Sequence, residues 1–282
     1  MIAVVDYQKG NLKSVERGLI AAGGEAFITA DASEIAKAGA IVLPGVGAFA
    51  DAAATMCELG QMEAIRDRVR AGVPFLGICL GEHLMFEHGV EGAPEGNPAC
   101  GLGLLPGTVV AMPRCDEQGK AFKVPHVGWN TIEIPACSEG AAVPPCGGVG
   151  GNAVLSSGGV GGGAARSSAA KRGLFEHGAF LDSAPQPGGD LAFPDSAPQP
   201  GCDPAFACPL FDGIAPGEYF YFTHSYIAPT GSHTIAETTH SVRFTSAVQY
   251  GERAFGVQFH PEKSSDAGAR VLANFVAIAA RG

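Results

Sequence analysis

The stretch Val73-Pro-Phe-Leu-Gly-Ile-Cys-Leu-Gly-Glu82 decides the fold. An apolar run of strand length, 73–78, ends in the turn Gly77-Ile-Cys79-Leu-Gly81, and helix-forming residues, 82–88, follow. A strand apolar throughout that turns sharply into a helix is the repeating joint of an α/β sheet. Upstream the same alternation recurs. Residues 2–7, 25–30 and 40–43 read as strands. Leu12, Val15, Leu19 and Ala22 fall at helical spacing before a Gly23-Gly24 stop, Asp31-Ala-Ser-Glu34 has the form of a helix start, and Met62, Ile65 and Val69 mark a further helix. The pattern predicts a mostly parallel central sheet with helices on both faces.

After Gly101-Leu-Gly-Leu-Leu-Pro-Gly107 the runs shorten and alternate, at 108–112, 131–134, 218–227, 234–239 and 242–248. They predict a smaller antiparallel sheet. A last strand, 254–259, leads into a helix whose apolar face is Val271, Leu272, Phe275 and Val276. Between the two groups, 136–208 holds two Gly-rich tracts and the string Asp-Ser-Ala-Pro-Gln-Pro-Gly twice, at 182–188 and 195–201. This segment offers too few large apolar side chains to offset its ordering entropy. It is expected to be a disordered surface insertion, apart from a short piece at 173–181, interrupting one domain that spans 1–282.

The chain has 282 residues, 46% of them hydrophobic, enough for a substantial core. Eighteen basic against 28 acidic residues give a net charge of −10, with no Lys or Arg run able to neutralise a phosphate backbone, so nucleic acid is not expected as a partner. The apolar runs are far shorter than the roughly 20 residues of a membrane span, and no charged leader precedes the first strand. A cytoplasmic protein without membrane contact is expected. Eight cysteines form no C-x-x-C pair, and reduced thiols are expected. Cys137, Cys146, Cys202 and Cys208 are too irregularly spaced for a zinc ribbon, so neither metal nor cofactor is expected.

Glycines two residues before and two after Cys79 have the spacing of a nucleophile elbow, where crowding admits only small neighbours. Such a turn holds its central residue at the carboxyl edge of the sheet, where α/β folds bind ligands, and a following helix N-terminus favours a thiolate. Alone, the motif also fits a buried structural cysteine. A thiol nucleophile needs a base with an orienting acid, and His260-Pro-Glu262 supplies both. Alternation in the last strand sets Val257 and Phe259 on one face and His260 and Glu262 on the other. Acyl transfer also needs donors for an oxyanion. Pro44-Gly45-Val46-Gly47, at the end of a strand, can aim the Val46 N–H at the site beside that of Leu80, or can be no more than a tight turn.

These residues resemble the class I, triad-type glutamine amidotransferases, whose signatures are a G-x-C-x-G elbow and a terminal H-P-E. The strings Val124-Pro-His-Val-Gly-Trp-Asn130, Tyr219-Phe-Tyr-Phe-Thr-His-Ser-Tyr226 and Gln258-Phe-His-Pro-Glu-Lys-Ser264 are similar, within that family, to the glutaminase subunits of imidazole glycerol phosphate synthases. The resemblance implies a flavodoxin-like amidotransferase domain with Cys79, His260 and Glu262 as catalytic residues. It implies an oxyanion and L-glutamine site at Gly45, Val46, Gly47, Leu80, His83, Ser225 and Tyr226. It also implies a docking face and ammonia exit at Asn11, His126, Trp129, Asn130, Tyr221 and Lys263. The partner it implies is a separate (βα)8-barrel cyclase subunit, in a heterodimer. Two positions depart from the family pattern. Glu82-His83 stand where Met-Gln is usual, leaving His83 either to hold the substrate's amino-acid end or to be an idle second imidazole. Gln8-Lys9 replace Gly-Met near the implied docking face. Two other readings remain open from sequence: a stand-alone cysteine hydrolase such as a γ-glutamyl peptidase, and a decayed regulatory module.

Overall fold

The computed structural model describes residues 1–134 and 208–281. The expected insertion lies almost wholly outside the described residues, as do Cys137, Cys146 and Cys202.

The amino-terminal half alternates as its pattern requires: β1 (Ile2–Val5), α1 (Leu12–Ala21), β2 (Ala26–Thr29), α2 (Ala32–Ile35), β3 (Ala40–Gly45), α3 (Phe49–Glu58), α4 (Gln61–Arg70) and β4 (Phe75–Cys79). The helix α3 had no counterpart in the sequence reading. Its inward face is Phe49, Ala52, Ala53 and Met56, too poor in large side chains to stand out as a periodic stripe. At α2 the Asp31 carboxylate accepts from the Ser33 N–H at 2.7 Å, as a helix cap should. Glu34 does not reach back to complete a capping box; its carboxylate takes the Thr29 hydroxyl instead.

After β4 comes α5 (Leu80–His83), a single turn, and the chain then enters β5 (Phe86–Gly89). The helix expected over 82–88 is therefore not formed. Phe86 pairs in parallel with Leu105, and His88 pairs antiparallel with Cys100. Gly89 is where the strand passes the Phe49 ring, with no room for a Cβ.

The rest of the described chain is β6 (Ala99–Cys100), β7 (Leu105–Ala111), β8 (His126–Thr131), β9 (Tyr219–His224), β10 (Tyr226–Ile227), β11 (Thr234–Thr239), β12 (Arg243–Tyr250), β13 (Ala254–Val257) and α6 (Ser265–Ala280). The main sheet has the order β11-β12-β13-β4-β3-β1-β2. Its five strands from β13 to β2 are parallel, and β11 and β12 extend it antiparallel. The late alternating strands thus divide three ways. Two lengthen the main sheet, β8 and β9 make an antiparallel ribbon, and β10-β7-β5-β6 form a small sheet in which β5 and β7 run parallel.

Alternate residues of the buried strands feed two hydrophobic layers. Ile2, Val4, Val42, Leu76 and Ile78 pack with Leu19, Leu272 and Phe275 on one side, and Ala3, Val5, Ile41, Leu43 and Phe75 pack with Phe49, Met56 and Ile65 on the other. Each large side chain buried this way contributes roughly 1.5–3 kcal/mol. Cys208, assigned to the insertion from sequence, packs against the first layer and leads into a 3₁₀ turn, Pro209–Phe211, whose Leu210 and Phe211 are buried. The Asn274 amide fastens this turn to α6 by donating to the carbonyls of Leu210 and Asp212. Domain structure accordingly resumes by residue 208. Burial pushes the Cys208 thiol up to about 11.

Candidate active site

Cys79 ends β4 with φ 54° and ψ −106°, a conformation that L residues adopt only under constraint. The constraint is visible at its glycines. A Cβ at Gly77 would stand 2.5 Å from the Gly81 carbonyl oxygen, and one at Gly81 would stand 1.8 Å from that of Leu43. The elbow closes because neither residue has a side chain. The one-turn α5 behind it is too short for a full macrodipole, so the expected help of a helix N-terminus to the thiolate is small.

Register brings the other elements to the same sheet edge. Gly45 pairs directly with Cys79, so Pro44-Gly-Val-Gly47 leaves the sheet beside the thiol. On the opposite flank Ile78 pairs with Val257, and the chain reaches His260 three residues later. Gly45 has no space for a side chain over the Tyr7 hydroxyl, and Gly47 turns with φ 105°.

A cavity of about 370 Å³ lies over Cys79, bounded by Val46, Gly47, Ala48, Leu80, His83, Glu91, Pro125, Thr223, His224, Ser225 and Tyr226. It is of small-molecule size. Every residue expected to hold the substrate lines it except Gly45, which pairs with Cys79 in the sheet. The sequence reading missed Thr223 and His224. As the first residue of a helix, Leu80 has an N–H without an intrahelical acceptor.

His260 is buried, and its Nδ1 lies 3.0 Å from Glu262 Oε1. The alternation expected to carry Glu262 ends at Val257; a 3₁₀ turn, Pro261–Lys263, brings the carboxylate back under the ring. A closed circuit fixes the imidazole. The His260 N–H donates to the Tyr221 carbonyl at 2.9 Å, the Ser264 hydroxyl donates to the His260 carbonyl at 2.6 Å, and the Tyr221 N–H donates to that hydroxyl at 3.0 Å. The His260 Nε2 has no hydrogen-bond partner, and the Cys79 thiol is 3.9 Å from the Thr223 carbonyl oxygen. Burial alone would depress the basicity of His260. The proximity of Cys79 and Glu262 outweighs it and lifts the ring to about 9, favouring the imidazolium.

The two departures after the elbow are both inside the protein. Glu82 is fully buried, neither carboxyl oxygen has a partner, and burial raises its pKa well above the carboxylate range, so it is held neutral. His83 is 3% exposed, and burial lowers it to about 4. Its Nε2 is 2.7 Å from Gln258 Oε1.

Of the residues assigned to a docking face, Asn11, Trp129 and Lys263 are exposed, and Tyr221 and Asn130 are half-buried. His126 is not on that surface. It is 4% exposed, stacks on Phe222 and His240, and its Nδ1 lies 3.0 Å from His224 Nε2. Position 126 opens β8 opposite His224, and the twisted ribbon turns this pair inward. The opposite face of the ribbon carries Val127, Trp129 and Tyr219, each more than half exposed, with Tyr221 edge-on to Trp129 at 6.1 Å. Alternation along β8 and β9 would have added Val127 and Tyr219 to the expected set.

A G-x-C-x-G elbow over a mostly parallel sheet, facing a His–Glu pair from the neighbouring strand, has counterparts among known proteins. The Glutamine amidotransferase class-I family matches residues 3–141 and 197–279, and the chain belongs to that family. Among curated relatives, the imidazole glycerol phosphate synthase subunit HisH of Moorella thermoacetica is 35% identical over 276 residues, covering 97% of this chain and 93% of the relative. The HisH subunit of Rhodopirellula baltica is 34% identical over 277 residues, covering 98% and 96%. Two solved structures share the fold: a glutamine amidotransferase with TM-score 0.55 at 14% identity, covering 99% of this chain and 100% of that one, and PurLQS from Thermotoga maritima, with TM-score 0.54 at 14% identity, covering 98% and 97%. Among the described residues no helix is long and apolar enough to cross a membrane.

Proposed function

We propose that this chain is the glutaminase subunit of an imidazole glycerol phosphate synthase, acting in the cytoplasm as a heterodimer with a separate (βα)8-barrel cyclase. The observation that carries the reading is the meeting at one sheet edge of a strained, cavity-facing cysteine with a buried histidine–carboxylate pair. The Cys79 sulfur attacks the side-chain carboxamide carbon of glutamine. The N–H groups of Val46 and Leu80 receive the oxyanion. The tetrahedral intermediate collapses as His260 gives its Nε2 proton to the departing nitrogen, which leaves as ammonia, and a γ-glutamyl thioester remains. Water, deprotonated by His260, then cleaves the thioester to glutamate and restores the thiol. Glu262 holds the ring and balances its charge. His83, with Nε2 occupied and the ring neutral, offers Nδ1 as an acceptor to the substrate's ammonium, while Ser225 and Tyr226 form the adjoining wall.

Ammonia passes to the cyclase, where it converts PRFAR to imidazole glycerol phosphate and AICAR. The apolar ribbon face of Val127, Trp129 and Tyr219, next to Tyr221 and Lys263, fits the docking surface, since exposed aromatic clusters of this kind anchor partners. A stand-alone hydrolase has no use for it. Cys79→Ala, assayed with the cyclase and PRFAR, should abolish synthesis from glutamine and retain synthesis from added ammonium. Glutamine-dependent synthesis that survives the substitution would refute the proposal.

A further inference from the structure

Gln258 has no part in the mechanism above, yet it is completely buried between two residues that do. Its Oε1 lies 2.7 Å from His83 Nε2, and its Nε2 lies 3.7 Å from Cys79 Sγ. Its main chain is fixed, the N–H donating to the Ser246 carbonyl at 3.0 Å. An amide oxygen only accepts, so His83 Nε2 carries the ring's proton and donates it. The sulfur on the other side settles the amide. With the oxygen held by His83, the NH₂ group is turned to the sulfur; the reversed amide would set an oxygen against a thiolate and repel it.

We propose that His83 and Gln258 form a positioning relay for the nucleophile, in which His83 orients the Gln258 amide and Gln258 donates a hydrogen bond that holds the Cys79 sulfur as a thiolate. The inference rests on the reading of Cys79 as the nucleophile. It also gives the Nε2 side of His83 a task. With Nε2 protonated, His83 donates to Gln258 Oε1 and leaves the amide NH₂ to the sulfur. Hydrogen bonds to an ionised acceptor are about twice as strong as neutral ones, so the relay favours the charged sulfur over the neutral thiol.

The test is the pH profile of Cys79 alkylation by iodoacetamide, read by mass spectrometry of the Cys79 peptide in the full-length chain, which needs neither substrate nor partner. Gln258→Leu removes both hydrogen bonds. Gln258→Glu, nearly isosteric, keeps the acceptor for His83 and loses the donor to sulfur, and it serves where the leucine variant does not fold. In each, the midpoint of the profile should rise by about one pH unit, roughly tenfold less reactive thiolate on the rising limb. In each, kcat for glutamine should fall more than KM changes. His83→Ala should move the midpoint in the wild-type background and leave it unmoved in the Gln258→Leu background, the signature of a residue acting through another. An unchanged midpoint in folded Gln258 variants, or a His83→Ala shift that simply adds to theirs, would overturn the relay. Glutamine hydrolysis that persists in Cys79→Ala would instead refute the functional reading beneath it.

Discussion

Lys263 directly follows the buried acid of the proposed triad but does not pair with it. Glu262 is engaged by His260, and the Lys263 ammonium lies 5.8 Å from the centre of the Tyr221 ring, at the exposed apolar end of the ribbon. On the proposed function, a cation held over the Tyr221 ring beside the ammonia exit fits a carboxylate of the cyclase rather than the substrate. Lys263→Ala should therefore leave glutamine hydrolysis measurable while uncoupling it, so that more than one glutamate is released per imidazole glycerol phosphate. A ratio that stays at unity, with unchanged affinity for the cyclase, would reduce Lys263 to a solvated surface charge. Single residues were legible where chemistry imposes a spacing: the glycines around Cys79 and the His-Pro-Glu string need no fold to be recognised. Gln258 escaped notice because one polar residue just past a buried strand carries no signal until its neighbours are known. His126 was misplaced because a polar motif suggests surface, whereas its ring is satisfied internally by His224 and aromatic stacking.

At the scale of elements, the turn of helix after Cys79 contains a buried carboxyl with both oxygens unpartnered. The Cγ of Glu82 lies against β13 in the space that Gly256 leaves, and neither carboxyl oxygen is satisfied. Its pKa is raised by burial, with Cys79 adding to the effect, so the native state keeps a proton that the unfolded state releases above about 4.5. The sign follows: this group favours the unfolded chain increasingly as pH rises from that value toward its native pKa. Glu82→Met should stabilise the protein by roughly 1–3 kcal/mol, with a larger gain at pH 8 than at pH 5, measured by urea denaturation. Loss of stability, or a gain independent of pH, would show that the carboxyl has a partner. The parallel strands were readable from their continuous apolar runs because burial on both faces leaves no alternation. The segment after α5 was not. Leu84, Met85 and Phe86 suit a helix or a strand equally, and the choice is made by pairing with Leu105, nineteen positions beyond Phe86. Nor does alternation in β11 and β12 reveal that they lengthen the main sheet, since antiparallel strands look alike wherever they dock.

Across the whole molecule, the buried histidines make folding a proton-linked process. Burial lowers His83 and His126 to about 4 and His224 well below its ordinary value, so each is neutral in the native state near pH 5 while unfolded histidine is mostly charged. Their contribution to stability is complete above about 6.5 and is lost as pH falls toward 4. Glu82 works in the opposite sense, binding a proton in the native state that the unfolded chain has partly released at pH 5. His260, raised to about 9, is charged in both states at that pH and cancels; its own contribution is full below about 6.5 and disappears as pH rises through 9. Burial lowers His233 in the same sense as these histidines and raises Glu91 in the same sense as Glu82, so among the described residues the histidines outnumber the carboxyls and unfolding at pH 5 takes up protons. The melting temperature should accordingly be highest near neutrality, falling on the acid side through the histidines and on the alkaline side through His260 and Glu82. Calorimetric unfolding at pH 5 in buffers of different ionisation enthalpy counts the protons directly. An unfolding enthalpy that does not vary with the buffer would overturn the neutral native histidines; the direct contact between His126 Nδ1 and His224 Nε2 already requires one of those two rings to be neutral, because one nitrogen must accept.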